Sequence, residues 1–142
     1  FDLILIKQTI HFFSKKQIKE LLNLAKKKLN SKGQILIFSL KLSNNQIPCF
    51  KKMKFELSKS IKKEEEIIKK IKQKFKKYKI DQFKFKVNIT KFRYIKMIKD
   101  RYMSCLLNIS DKEIKKGVSE IGSNYKKQIK FTDTLNCINY KK

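Results

Sequence analysis

The 142 residues include three glycines, one proline, one histidine and no tryptophan, and arginine occurs only at Arg93 and Arg101. The glycine shortage is the most restrictive of these. Gly33, Gly117 and Gly122 stand far apart, so the chain can build neither a Gly-x-Gly nucleotide cradle nor a P-loop nor a serine nucleophile elbow. With His11 alone, a histidine-rich metal site and a two-histidine relay are excluded. Cys49, Cys105 and Cys137 are isolated, odd in number and lack Cys-x-x-Cys pairing, so neither a disulfide framework nor a zinc site is indicated. They are expected to be reduced, small apolar fillers. No apolar run is long enough to span a bilayer and no cleavable signal pattern is present, so no membrane partner is expected and a cytoplasmic location is.

What is abundant is lysine. The formal charge is +25, and all but two of the 37 basic residues are lysine. The chain is also rich in Ile, Asn, Phe and Tyr and poor in Ala, Gly and Pro, the residues whose codons are respectively rich and poor in A and T. An AT-biased genome inflates lysine on every solvated surface without any selection for polyanion binding. Nucleic-acid sites favour the planar, bidentate fork of arginine. Composition therefore disfavours a nucleic-acid partner, although charge alone supports weak polyanion affinity. The 41% hydrophobic share excludes wholesale disorder and is enough for a real core.

The opening Phe1-Asp2-Leu3-Ile4-Leu5-Ile6 reads as a buried strand that ends in the polar turn Lys7-Gln8-Thr9-Ile10-His11. Ser14 is placed to cap a helix through about Leu29, with Ile18, Leu21, Leu22, Ala25 and Leu29 on one face. Gly33 stands where a helix stop is wanted, and Gln34 to Leu40 forms a second buried strand. Near-continuous apolar strands of this kind suit a parallel sheet covered on both faces. Because the residues open inside a strand, with no Met before it, the expectation is the second half of a larger α/β domain, one layered structure over residues 1–142.

Lys41 to Gln46 reads as a loop. Pro48 suits the first turn of a second helix whose Phe50, Met53, Leu57 and Ile61 share a face. A third helix is expected over about Lys63 to Lys77, with Ile68, Ile71 and Phe75 inward and i,i+4 pairs Glu65–Lys69 and Glu66–Lys70. Phe83, Phe85, Val87 and Ile89 alternate with polar residues, as in a half-exposed strand near a sheet edge. Thr90 caps a helix carrying Tyr94, Ile95, Ile98 and Tyr102. Ser110-Asp111-Lys112-Glu113 is a capping box before the face Ile114, Val118, Ile121. A last strand, about Gln128 to Tyr140, is expected to break or bulge at Thr132-Asp133.

Phe-Asp-Leu-Ile-Leu-Ile-Lys-Gln-Thr-Ile-His-Phe-Phe resembles the fourth-strand motif of class I S-adenosylmethionine-dependent methyltransferases, including the aspartate at its start and the histidine a turn later. Leu22 to Leu40, ending Leu-Asn-Ser-Lys-Gly-Gln-Ile-Leu-Ile-Phe-Ser, is similar to the helix, turn, glycine and strand that lead into the family's fifth strand. Arg101-Tyr102-Met103-Ser104 with Ser110 to Glu113 resembles a C-terminal pattern of small-molecule members. The resemblance implies an α/β fold: the C-terminal half of a Rossmann-like methyltransferase sheet, fourth to seventh strands with the last antiparallel, and flanking helices.

The same resemblance implies S-adenosylmethionine as cofactor, with Lys7, Gln8 and His11 toward it, and a small-molecule acceptor, carboxylate-bearing for instance, near Arg101, Tyr102 and Ser104. The family's Gly-rich turn and ribose-holding acid do not occur in these residues, and Gln8 stands where relatives often carry an acid. Methyl transfer needs no universal catalytic residue, because orientation supplies much of the rate. Two other readings stay open: a small basic nucleic-acid-binding module, and a non-catalytic α/β fragment that pairs with another chain.

Overall fold

The computed structural model describes residues 1–41, 45–75 and 77–142. Along them run β1 (Leu3–Lys7), α1 (Lys15–Lys28), β2 (Gln34–Leu40), α2 (Lys51–Lys74), β3 (Tyr78–Thr90), α3 (Lys91–Lys99), α4 (Asp111–Asn124) and β4 (Gln128–Lys141), with 3-10 turns at Ile10–Phe12 and Ser104–Leu106. The strands form one mixed sheet in the order β1-β2-β4-β3. β1 lies parallel to β2, Ile6 opposite Ile37, and β4 lies antiparallel to β2, Ile37 opposite Ile138. The fold is α/β with an open four-stranded sheet and flanking helices. Two compact units divide it: Phe1–Ser43, Lys62–Lys84 and Thr134–Lys142 form one, and Asn44–Ile61 with Phe85–Asp133 the other.

In the first unit the core is Ile6, Ile35, Ile37 and Ile138 from the strands, under Ile18, Leu22, Ala25 and Leu29 of the α1 segment and Ile67, Ile71 and Phe75 of the α2 segment. α1 starts where expected. The Ser14 hydroxyl accepts from Gln17 N–H, and Gln17 Oε1 accepts from Ser14 N–H at 2.8 Å, so two otherwise orphaned donors are satisfied reciprocally. Ser14 is solvent-exposed, so the cap acts locally.

β1 is not buried throughout: Leu3 and Leu5 are 49% and 55% exposed, because the core residues Ile4 and Ile6 occupy the opposite face. Gly33 is not a left-handed helix stop, since α1 ends at Lys28 with Leu29 already extended and no glycine has a positive φ. It is required for close approach: a Cβ there would stand 2.7 Å from Leu29 Cγ and 2.9 Å from the Phe1 carbonyl. Glu66 pairs across to Lys15 at 3.4 Å rather than along its own helix to Lys70.

The second and third helices expected from the pattern are one, α2. Between Phe50 and Lys74 there is no glycine or proline to interrupt a run of good helix formers. Pro48 precedes α2 instead of sitting in its first turn. Its carbonyl, which a helical turn would have turned to Lys52 N–H, accepts the Tyr94 hydroxyl at 2.6 Å. Leu42, Ser43 and Asn44 of the expected loop, Lys76 of the expected third helix and the Ile61 side chain lie outside the described residues.

In the second unit Phe50 and Met53 of the α2 segment pack with Tyr94 and Ile98 of α3, Ile114 and Ile121 of α4, Ile129, and Cys105, Leu106 and Ile109 from the α3–α4 connection. Thr90 caps α3 by accepting from Arg93 N–H, and Ser110 with Glu113 forms the expected capping box on α4. Gly117 lets α4 approach Phe50, whose ring atoms would lie 2.4 Å from any Cβ placed there.

β3 lies at the end of the sheet order, the edge position its alternation implied, but is longer and more exposed than expected. β4 runs unbroken through Thr132-Asp133. The irregularity expected there survives only as Thr132 N–H donating to Gln46 Oε1 at 3.0 Å, with the β2 pairing beginning at Leu135.

Candidate functional site

The residues singled out by sequence fall in both units. In the first unit, β1 delivers Lys7 and Gln8 to its carboxyl end, where both are exposed. Gln8 has a φ of +52°, a left-handed conformation that costs a non-glycine residue roughly 1–2 kcal/mol. Its N–H still reaches the Phe38 carbonyl of β2 at 2.9 Å, so the chain turns sharply while staying attached to the sheet. The following 3-10 turn is anchored by fully buried Ile10 and carries half-buried His11, whose ring lies 4.2 Å from that of Phe12. The three residues thus share one turn at the carboxyl end of a parallel strand, which is where ligands bind in open α/β sheets.

In the second unit, the chain leaves α3 through Arg101, which also has a positive φ, 54°. Arg101 N–H bonds Ile98 O and Tyr102 N–H bonds Met97 O, the paired return bonds that close a helix whose C′ residue is left-handed. Glycine is usual at that position. Arginine is kept there by its head group: Nη1 donates to the Leu106 carbonyl and, at 2.6 Å, to the Ile109 carbonyl, and Nη2 donates to Asp111 Oδ1 at 2.8 Å. The guanidinium is therefore occupied by its own chain, and its role is to position the 102–109 connection.

That connection presents Tyr102 and half-buried Ser104. Tyr94 OH has one proton and gives it to the Pro48 carbonyl, an acceptor only, so the 3.1 Å contact between the two tyrosine hydroxyls has Tyr102 as donor. The rings meet edge-on with centroids 6.0 Å apart. Burial pushes Tyr102 up to about 12, with Cys49, Cys105 and Asp133 adding to the effect; it pushes Tyr94 higher still. Burial likewise raises the Cys49 thiol to about 12 and the Cys105 thiol to about 11. At neutral pH this group supplies hydrogen-bond donors and apolar surface, and no base or thiolate nucleophile.

A groove of about 420 Å³ in the same unit is lined by Phe50, Phe55, Lys52, Glu113, Gly117 and Glu120. Its carboxylates are occupied: Glu113 is held by Ser110 and Lys52, and Glu120 accepts from Lys51 N–H. Among the described residues no three His, Cys, Asp or Glu side chains gather as a metal site would require, and no helix is long and apolar enough to cross a membrane.

Sequence reasoning missed the Tyr94–Pro48 bond and the strained turn at Gln8. Tyr94 was legible only as one more residue on a helix face. Gln8 carried no signal, because left-handed positions are anticipated from glycine or asparagine. No protein-family model and no curated protein matches the chain.

Proposed function

We propose that this chain is part of a class I S-adenosylmethionine-dependent methyltransferase acting on a small-molecule acceptor. The observation that carries the reading is the sheet: β1 and β2 are parallel, and the last strand of the chain is antiparallel, as the resemblance implies for the seventh strand; it pairs with β2. Support also comes from the strained Gln8 turn at the carboxyl end of β1, since strain of this kind persists where the surroundings over-determine it and gathers at functional sites.

S-adenosylmethionine supplies a methyl group activated on a sulfonium. Lys7 and Gln8 lie in the open turn, with an ammonium and an amide to offer it, and His11 stands beside them on Phe12. Tyr102 and Ser104 are the acceptor-side residues of this reading, held in place by Arg101. With the Tyr94 and Tyr102 hydroxyls and the Cys49 and Cys105 thiols all proton-retaining, rate would come from orientation rather than from proton abstraction by these groups. The Gly-rich half of the cofactor site would come from outside these 142 residues, and a cytoplasmic location goes with the reading.

Titration of the 142-residue chain with S-adenosylhomocysteine, followed by amide chemical shifts, tests it. Weak, non-saturating shifts confined to Lys7–Phe13 are expected. Shifts that leave this turn untouched would overturn the assignment.

A further inference from the structure

Of the two arginines in this lysine-dominated chain, Arg101 is engaged by its own chain through three hydrogen bonds and Arg93 is not. Among the described residues no hydrogen bond or ion pair engages the Arg93 guanidinium, only its backbone N–H being held by Thr90. Codon bias toward A and T explains surplus lysine, but it does not explain this arginine. Beside it, Phe92 is 81% exposed, the most exposed large apolar side chain among the described residues. Phe92, Lys96 and Lys99 recur at i, i+4 and i+7 along α3 and so share one face, with Arg93 and Ile95 at its flanks. A shallow groove of about 360 Å³ runs along this face, lined by Lys91, Phe92, Ile95, Lys96, Lys99 and Asp100.

We propose that the outer face of α3 is a docking surface for single-stranded nucleic acid. The chemistry is complementary in both respects: an open aromatic ring gives a base a face to stack on, while an arginine fork and two ammoniums meet the phosphates beside it. Asp100 is the one negative charge in the groove's lining, against the three ammoniums of Lys91, Lys96 and Lys99, while Arg93 stands beside the groove on the flank of the same face. A lipid surface is the poorer fit. An interfacial helix needs a continuous apolar face, whereas the buried apolar residues of α3, Tyr94 and Ile98, are in the core and its outer face carries a single largely exposed ring, Phe92. None of the residues of this surface is among Lys7, Gln8 and His11, and binding here requires no methyl transfer.

Fluorescence anisotropy with a labelled oligouridylate of about 12 nucleotides tests this. Phe92→Ala leaves the net charge unchanged, and Arg93→Lys changes only the geometry of the cation. Each is expected to weaken oligouridylate binding, Phe92→Ala by roughly fivefold to 150-fold, with unaltered melting and with binding of inorganic polyphosphate unchanged. Phe55→Ala, removing another exposed ring, is expected to leave oligouridylate affinity as it was. Equal affinities for all variants would overturn the proposal in favour of diffuse lysine electrostatics. Parallel losses for polyphosphate would overturn base stacking. Phe92-dependent binding to phosphatidylserine vesicles without oligouridylate binding would overturn it in favour of a membrane surface.

Discussion

The guanidinium of Arg101 donates to the carboxylate of Asp111 at 2.8 Å, while its other nitrogen holds the carbonyls of Leu106 and Ile109. The Asp111 side chain is 90% exposed and that of Arg101 only 26%. An ion pair so open to water contributes under about 1 kcal/mol, whereas charge-assisted bonds to carbonyls contribute about 1.5–3 kcal/mol. Arg101→Lys, which keeps the charge and loses the fork, should therefore lower unfolding free energy by roughly 1.5–3 kcal/mol, and Asp111→Asn by less than about 1 kcal/mol. Urea titration of both variants checks the ranking.

Gly117 and Gly122 lie on the same helix and should respond oppositely to alanine. A Cβ at Gly117 meets the Phe50 ring at 2.4–2.6 Å, and one at Gly122 meets nothing within 4 Å. Overpacking costs roughly 1–3 kcal/mol, against a helix-propensity gain of about 1 kcal/mol. Gly122→Ala should raise the melting temperature and Gly117→Ala should lower it.

The half-buried Cys49 and buried Cys105 thiols give the chain an alkaline weakness. Cys49 and Cys105 have an ordinary value of 9.0 and folded values of about 12 and about 11. Above pH 9 the unfolded chain loses these protons while the folded chain keeps them, so stability falls as pH rises. The contribution is fully present below pH 9 and is lost through the folded values. Unfolding followed between pH 8 and 11 should show a decline that Cys105→Ala makes shallower. A difference between parent and variant that is independent of pH would contradict it.

Gln8 links stability to the proposed function. Glycine adopts a φ of +52° freely, so Gln8→Gly should be neutral or stabilising by up to about 1 kcal/mol while removing the amide offered to the cofactor. Thermal melts and S-adenosylhomocysteine titration of this variant should move in opposite directions.

Local signals were read well from the sequence. Ser14, Thr90 and Ser110 each cap the helix they precede, because a hydroxyl that accepts a backbone N–H is a decision made within four residues. The core positions of α1 and α4 followed from the 3.6-residue period. What failed depended on distant partners. Pro48 lies outside α2 with its carbonyl held by Tyr94, Gly33 is required by the closeness of Leu29 and the Phe1 carbonyl rather than by a left-handed φ, and Glu66 reached to another helix. The occupied state of Arg101 was equally invisible, since the carbonyls it holds lie five and eight residues on, at the end of an irregular connection.

Isothermal calorimetry with S-adenosylhomocysteine tests the methyltransferase reading most directly, run on residues 1–142 and on a longer polypeptide in which a Gly-rich half precedes them. The account predicts stoichiometric binding by the longer polypeptide, weakened by Gln8→Gly, and no calorimetrically tight binding by residues 1–142 alone. Tight stoichiometric binding by the 142 residues alone, or none by the longer polypeptide, would contradict it.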